Sequence, residues 1–347
     1  MRNAGMKMRN VWRMAFFFAF LHFAVETACF YRLFSTVKDT SLWWTYAFLY
    51  DALAFVPQLF LGMLSDRFRA FPMALVGILM ILAGMFVPVR AICLLLISLG
   101  NALVHVEGAE ATLRGAGGKM GPSGIFVAGG SFGVILGQLL AGTGEKAVWI
   151  PCALLVLSLP VLLFLRNKQD LQQKADGFCA AADRPVVLVV ALTFVTVAVR
   201  SFIGYAIPIT WNKAVWQSIL LFVCMGIGKA AGGVLADRFG ARRVAVISLI
   251  LALPLLLFGS GHMVISLVGT ALFSMTMTVT LGVLVSVFPE APGMAFGITT
   301  VGLFLGSTPM FFVNLGETAQ ILAVTVLTLA AAGCFLYVAC NTNKQRT

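Results

Sequence analysis

His22 and Glu26 stand four residues apart inside an apolar run at 12–34. At helical spacing their side chains share one face, and together they can take up and release a proton. An ionisable side chain inside a membrane-length apolar run costs about 2.5–3.5 kcal/mol on insertion scales, so each one is a functional candidate. Asp51 lies eight residues into the run at 43–63, and Arg200 ten residues from the end of the run at 185–210. At about 1.5 Å per residue, Glu26, Asp51 and Arg200 fall in one layer of the membrane. Burial raises a carboxylate's pKa and a nearby arginine lowers it, so an acid held between the two can change protonation as its surroundings move. Two plainer readings compete: a static Glu26–His22 or Glu26–Arg200 pair that stitches helices, and an Asp51 that faces a solvated vestibule.

Further candidates follow along the chain. Asn101 and His105, again four apart, fit one face of a helix turned to a cavity, although a lone histidine can also be a satisfied packing residue. Glu107, Glu110 and Arg114 are spaced for an intrahelical salt bridge near one membrane surface. Lys229 is expected to snorkel to that surface, with an anionic substrate as the alternative partner. Thr270, Ser274 and Thr278 recur on one helical face beside Met275 and Met277, suited either to a substrate cavity or to close helix packing.

The elements that must position these residues are membrane helices. Sixty per cent of residues are apolar, eleven per cent are charged, and the mean hydropathy is +0.98; soluble domains carry about 25% charged residues. Apolar runs at 12–34, 43–63, 70–88, 91–112, 123–143 and 147–165 precede a polar stretch at 166–184. Six more follow at 185–210, 214–236, 242–259, 263–288, 294–315 and 317–340. Each suits a spanning helix of about 20 residues. Their length and lack of two-residue alternation exclude barrel strands.

With the first residue inside, 17 Lys/Arg fall on the inner side and five (Arg32, Lys38, Arg90, Lys146, Lys213) on the outer. That bias sets the orientation, and the net charge of +11 calls for no nucleic-acid partner. The basic start before Phe16–Leu21 resembles a signal peptide, but no small-residue cleavage site follows, so span 1 is expected to be retained. Trp43, Trp44, Trp149, Trp211 and Trp216 lie near outer ends as interface anchors. The seven cysteines, at 29, 93, 152, 179, 224, 334 and 340, are odd in number and lack Cys-x-x-Cys spacing, which predicts neither a disulfide nor a metal site.

The segments Gly62-Met63-Leu64-Ser65-Asp66-Arg67-Phe68 and Gly233-Val234-Leu235-Ala236-Asp237-Arg238-Phe239 are near-copies, their aspartates 171 residues apart (237 − 66), about half the chain. Each falls between spans two and three of its half. Parallel repeats mark one class of secondary transporter. The second copy continues as Gly240-x-Arg242-Arg243 and resembles the loop motif of the major facilitator superfamily. The first departs from it, with Arg69 in place of the glycine and Phe71-Pro72 in place of the basic pair. Glycine lets helices approach, and an aspartate at the surface can accept from a neighbouring helix N-terminus. The resemblance implies that Asp66 and Asp237, with Arg67 and Arg238 beside them, latch the cytoplasmic side while the cavity opens outward. Simple positive-inside anchoring by the arginines is the alternative. A narrower stretch, Gly100–His105 with Gly129-Gly130-Ser131-Phe132-Gly133 through Gly137 and the His22/Glu26 pair, is similar to the fosmidomycin-resistance branch of efflux carriers. That branch usually has aspartate at the Glu26 position, and Gln138 stands where drug antiporters often have proline.

These observations predict an all-α integral membrane protein of twelve transmembrane helices. The helices form two pseudo-symmetric six-helix bundles, 1–165 and 185–347, joined by a cytoplasmic linker at 166–184. The resemblance implies that spans 1, 4, 7 and 10 line the cavity, with Glu26 and Arg200 facing each other. The expected function is secondary active transport by alternating access, as proton-coupled export of a small organic compound. Proton-coupled uptake of a sugar, amino acid or carboxylate is the second reading. A membrane enzyme using His22, Glu26 and His105, and a receptor or scaffold on the same fold, are the alternatives of another class. No cofactor or metal is implied. The partners are a small-molecule substrate, protons and lipid; a monomer in a bacterial inner membrane with both termini cytoplasmic is expected.

Overall fold

The computed structural model describes residues 2–166, 174–181 and 184–340. Twelve helical spans run through them. The first six are span 1 (Arg2–Val37), span 2 (Trp43–Phe55, continuing as Pro57–Arg67), span 3 (Met73–Phe86), span 4 (Arg90–Gly115), span 5 (Gly121–Gly142) and span 6 (Trp149–Arg166). The second six are span 7 (Val186–Ala206), span 8 (Val215–Phe239), span 9 (Ala241–Phe258), span 10 (Met263–Ser274, then Met277–Val287), span 11 (Pro292–Ser307) and span 12 (Glu317–Val338). Eleven are long and apolar enough to cross a membrane; span 3, at 14 residues, is shorter. Pro72 and Pro88 bracket it, and the residue before a proline leaves the helical region. Arg32 of span 1 donates to the carbonyls of Gly84 (3.1 Å) and Val87 (2.7 Å) at its end. Arg32 thereby satisfies two carbonyls that a helix terminus leaves open. Large apolar side chains such as Phe60, Leu157, Val187, Phe258 and Leu322 point outward, as a lipid-facing surface requires.

Two spans are broken mid-membrane. Span 2 breaks at Val56, where Pro57 removes a donor and crowds the preceding turn. Span 10, expected to be continuous, breaks at Met275–Thr276. There the Thr276 hydroxyl donates to the Phe273 carbonyl at 3.0 Å and competes with the backbone ladder. Span 7 stops at Ala206, short of the expected 210, because Pro208 follows.

Span 1 packs on spans 4, 5 and 6; span 7 packs on spans 11 and 12; span 10 packs on spans 8 and 9. Span 2 with span 11 and span 5 with span 8 make the most extensive crossings between the first six spans and the last six, and span 4 with span 11 and span 5 with span 10 add smaller ones. Of the expected linker, residues 167–173 and 182–183 lie outside the described residues. The rest seals a seam. Ala175 donates to the Pro289 carbonyl (2.9 Å), exposed Lys174 pairs with Glu290, and Gly177 backs onto Gly118.

The structure corrects the cysteine expectation. Cys179 and Cys340 form a disulfide. Ala180 pairs with Ala339 in an antiparallel bridge, and Ala181 donates to the Val338 carbonyl. A separation of 161 residues carries no spacing signal, so only the fold reveals the pair. Of the tryptophans, Trp44, Trp149 and Trp216 are exposed as interface anchors would be, whereas Trp211 is buried.

Candidate functional site

Span 1 carries His22 and Glu26 on one face, and span 4 presents Asn101 and His105 to it. Glycines on span 5 permit the approach: a methyl at Gly130 would fall on the His22 ring, and one at Gly133 on the Glu26 side chain and the Phe23 carbonyl. All four polar side chains are buried. His22 Nδ1 lies 2.9 Å from the Phe126 carbonyl, and His105 Nδ1 lies 2.9 Å from the Asn101 carbonyl. A carbonyl only accepts, so both Nδ1 atoms must carry hydrogen. A neutral imidazole has one N–H, so both Nε2 atoms are then lone pairs; yet they stand 2.7 Å apart. Two lone pairs at that distance repel unless a proton lies between them.

A proton shared between the two Nε2 atoms would give the pair one positive charge. Glu26 is placed to balance it, its Oε1 being 3.3 Å from His105 Nε2 and 3.6 Å from His22 Nε2. Asn101 Nδ2 donates to the same oxygen at 3.2 Å and contacts the Tyr50 hydroxyl at 3.1 Å. The three donor atoms lie within 4.8 Å of one another, which is also close enough to attract a metal ion. Two imidazoles sharing a tetrahedral zinc at about 2.0–2.1 Å would sit roughly 3.3 Å apart, so the 2.7 Å contact suits a proton.

Across the membrane core, Arg200 of span 7 is not paired with Glu26, whose partners all come from spans 1 and 4. It is 7% exposed, its Nε has no hydrogen-bond partner, and its guanidinium lies 5.5 Å from the Phe273 ring centroid on span 10. A cation–π contact is worth about 0.5–2 kcal/mol, less than the about 2.5–3.5 kcal/mol that a membrane-centre charge costs. Lys229 of span 8 does not snorkel: its Nζ donates to Ser131 Oγ of span 5 at 2.8 Å. It stands within electrostatic reach of both Arg200 and Glu26. Asp51 is partly exposed and within electrostatic reach of Glu26, but it does not neutralise Arg200. On span 10, Ser274 is buried, and the buried hydroxyls of Thr270 and Thr278 have no partner.

The duplicated motif forms two reciprocal contacts. Asp66, at the end of span 2, accepts from the backbone N–H groups of Gly293 (3.1 Å) and Met294 (2.8 Å), the first turn of span 11. Asp237, at the end of span 8, accepts from Met120 (2.6 Å) and Gly121 (2.9 Å), where span 5 begins. Each carboxylate thus caps a helix N-terminus across the seam, where unsatisfied donors and the helix dipole favour an anion. Gly62 and Gly233 make the crossings possible, since a methyl on either would strike the backbone of Gly293 or Met120. Arg67 and Arg238 each lie 5.4 Å from the ring of the phenylalanine that follows.

The first contact extends to Arg114 and Glu110. Arg114 donates to Asp66 at 2.9 Å and to Glu110 at 2.6 Å, and Ser65 bonds Glu110. Glu107 stands apart from the expected intrahelical bridge and instead accepts from the Ala74 N–H at the start of span 3. The extra residues of the second copy serve another purpose. Gly240 takes φ +93°, a conformation that favours glycine, and Arg242 Nε donates to the Ala339 carbonyl at the end of span 12. Arg243 is exposed.

The sequence and the fold match known proteins. The chain is 28% identical over 328 residues to YfnC, an MFS-type transporter of Bacillus subtilis (strain 168), covering 82% of this chain and 80% of that one. No protein-family model matches it. The solved structure of the major facilitator superfamily transporter FucP in the outward conformation superposes with a TM-score of 0.63 at 14% identity. It covers 94% of this chain and 97% of that one. The structure of a single-residue variant of FucP, the E. coli fucose:proton symporter, gives 0.58 at 13% identity with the same coverage. The chain is thus similar to an MFS-type transporter and shares the fold of the FucP structures.

Its relative and its structural neighbours are transporters. The His22/Glu26 pair gains His105 and Asn101, which sequence reasoning had placed in a substrate cavity. It also gains Tyr50 and the Phe126 carbonyl, which no spacing signalled. The partners of the latch aspartates carried a readable signal: Gly121-Pro122 and Pro292-Gly293 both open a helix just after a loop, near the same half-length interval.

Proposed function

We propose that this facilitator moves a small organic solute by alternating access, driven by protons carried on the His22–Glu26–His105 cluster. The 2.7 Å Nε2···Nε2 contact above the Glu26 carboxylate supports this reading most strongly. It is a buried proton-binding group whose charge balances only while all three members stay together. If spans 1, 4 and 5 shift relative to one another during rocking, the shared proton becomes exchangeable. The bundles 1–165 and 185–347 act as the rocking units, with the linker at 166–184 between them. The strongly basic face is the cytoplasmic one, so that both termini lie inside, in a bacterial inner membrane. Asp66 and Asp237 hold that face shut, and the protein works as a monomer.

Export is the expected direction, from the likeness to efflux carriers. Uptake by symport is the second reading, favoured by the absence of any Glu26–Arg200 pair: an Arg200 free of the proton group is available to a substrate. The test is purified protein in liposomes under an imposed proton gradient, with an entrapped pH dye and a broad compound panel. At least one compound should move protons in wild type and none in Glu26→Gln. A wild type that couples no compound to protons would contradict the proposal, and the direction of proton movement separates export from uptake.

A further inference from the structure

We infer that the transported solute carries an anionic group, held between Arg200 and Lys229 against the break in span 10. The inference rests on the transport reading and deepens it by naming the substrate class. Arg200 is more than nine-tenths buried with no acid beside it, and its Nε donor is unused. Lys229 spends one of its three N–H donors on Ser131 and also lacks an acidic partner. The spans that carry the two cations both pack on span 10. The Arg200 guanidinium lies over Phe273, while Gly228 and Gly232, flanking Lys229 on span 8, abut the backbone of Ala271 and Met275.

Span 10 is interrupted at that level, and broken helices near the midplane are where such carriers build substrate sites. The Thr270 and Thr278 hydroxyls on its two segments are buried without partners. The nearby acids do not answer the charge. Glu26 is committed to the histidine pair and Asn101, and Asp51 lies on span 2 without a contact to Arg200. A carboxylate or phosphoryl group would give the guanidinium a bidentate partner and the ammonium a second acceptor.

The test is thermal unfolding of the full chain in phosphatidylcholine nanodiscs, at matched ionic strength. The probes are succinate, methylphosphonate and inorganic phosphate, with choline and glycerol as controls. At least one anion should raise the Tm by a few degrees, in wild type and in Lys213→Gln, an exposed loop variant. Arg200→Gln and Lys229→Gln should weaken that anion's apparent affinity at least ~10-fold, since each removes one charge-assisted contact. Arg200→Lys, which keeps the charge but not the fork, should fall between and serves if the glutamine variant fails to fold. No anion outperforming glycerol in wild type, or an unchanged response in the Arg200 and Lys229 variants, would overturn the inference. Succinate against the two phosphorus anions distinguishes carboxylate from phosphoryl chemistry. An intact anion response with no proton coupling in vesicles would sink the proton reading alone. Intact coupling without an anion response would sink this one alone.

Discussion

The buried acid of span 1 is answered, and the buried arginine of span 7 is not. His22, Glu26, His105 and Asn101 satisfy one another within one half of the molecule. Arg200 and Lys229 face the same interior with one serine between them. A buried group that is fully partnered can hold an exchangeable proton without a ligand. A buried cation left without an acid is ready for one brought from outside. On the proposed reading, the two tasks of a coupled carrier fall to different halves.

The largest effect should come from Glu26→Gln, which keeps the shape but removes the charge that balances the shared proton. Proton-driven flux in liposomes should fall ~100-fold or more, because a buried ion pair loses its partner. Flux within a factor of two of wild type would place the proton elsewhere. Arg200→Gln should come next, raising the half-saturating solute concentration ~10-fold or more while leaving the proton response. If it abolished proton movement as Glu26→Gln does, the division between halves would collapse.

The latches should give a smaller effect. The second copy of the motif is the more complete in sequence, yet each aspartate accepts from two backbone donors at a helix N-terminus. The glycine and Arg242 of the second copy shape a turn and anchor span 12. Asp66→Asn and Asp237→Asn should therefore open the latch side to a similar extent, each by about 1.5–3 kcal/mol for a hydrogen bond to a charged group. Accessibility of single cysteines introduced beside Gly118 and Gly293 would read it, and a clear excess for Asp237→Asn would give the more complete copy the greater weight. Smallest should be Cys179→Ser, which loses the tie to Cys340 but none of the interior contacts. Flux should change less than ~2-fold, and a larger loss would make the disulfide part of the cycle.

The span map was legible because membrane helices need long apolar runs, and the latch because its motif repeats at half-length. Span 3's short helix and the break in span 10 were harder to read. One is set by prolines at its margins, the other by a threonine hydroxyl competing with the backbone. The proton group was half legible: i,i+4 spacing joined His22 to Glu26 and Asn101 to His105. Nothing in one dimension brings two helices together at a 2.7 Å contact between imidazoles. Lys229 misled because a lysine two turns from a surface usually snorkels, and only packing shows that Ser131 lies within reach.

The shared proton itself can be observed without knowing the solute. The chain has three histidines, so 15N-histidine NMR of the protein in nanodiscs resolves them with His22→Gln, His105→Gln and His262→Gln as assignments. The account predicts that near neutral pH both His22 and His105 carry hydrogen on Nδ1. One further proton lies between their Nε2 atoms, seen as a coupling across the hydrogen bond that Glu26→Gln abolishes. Two histidines that titrate independently, with no coupling between their Nε2 atoms, would contradict it.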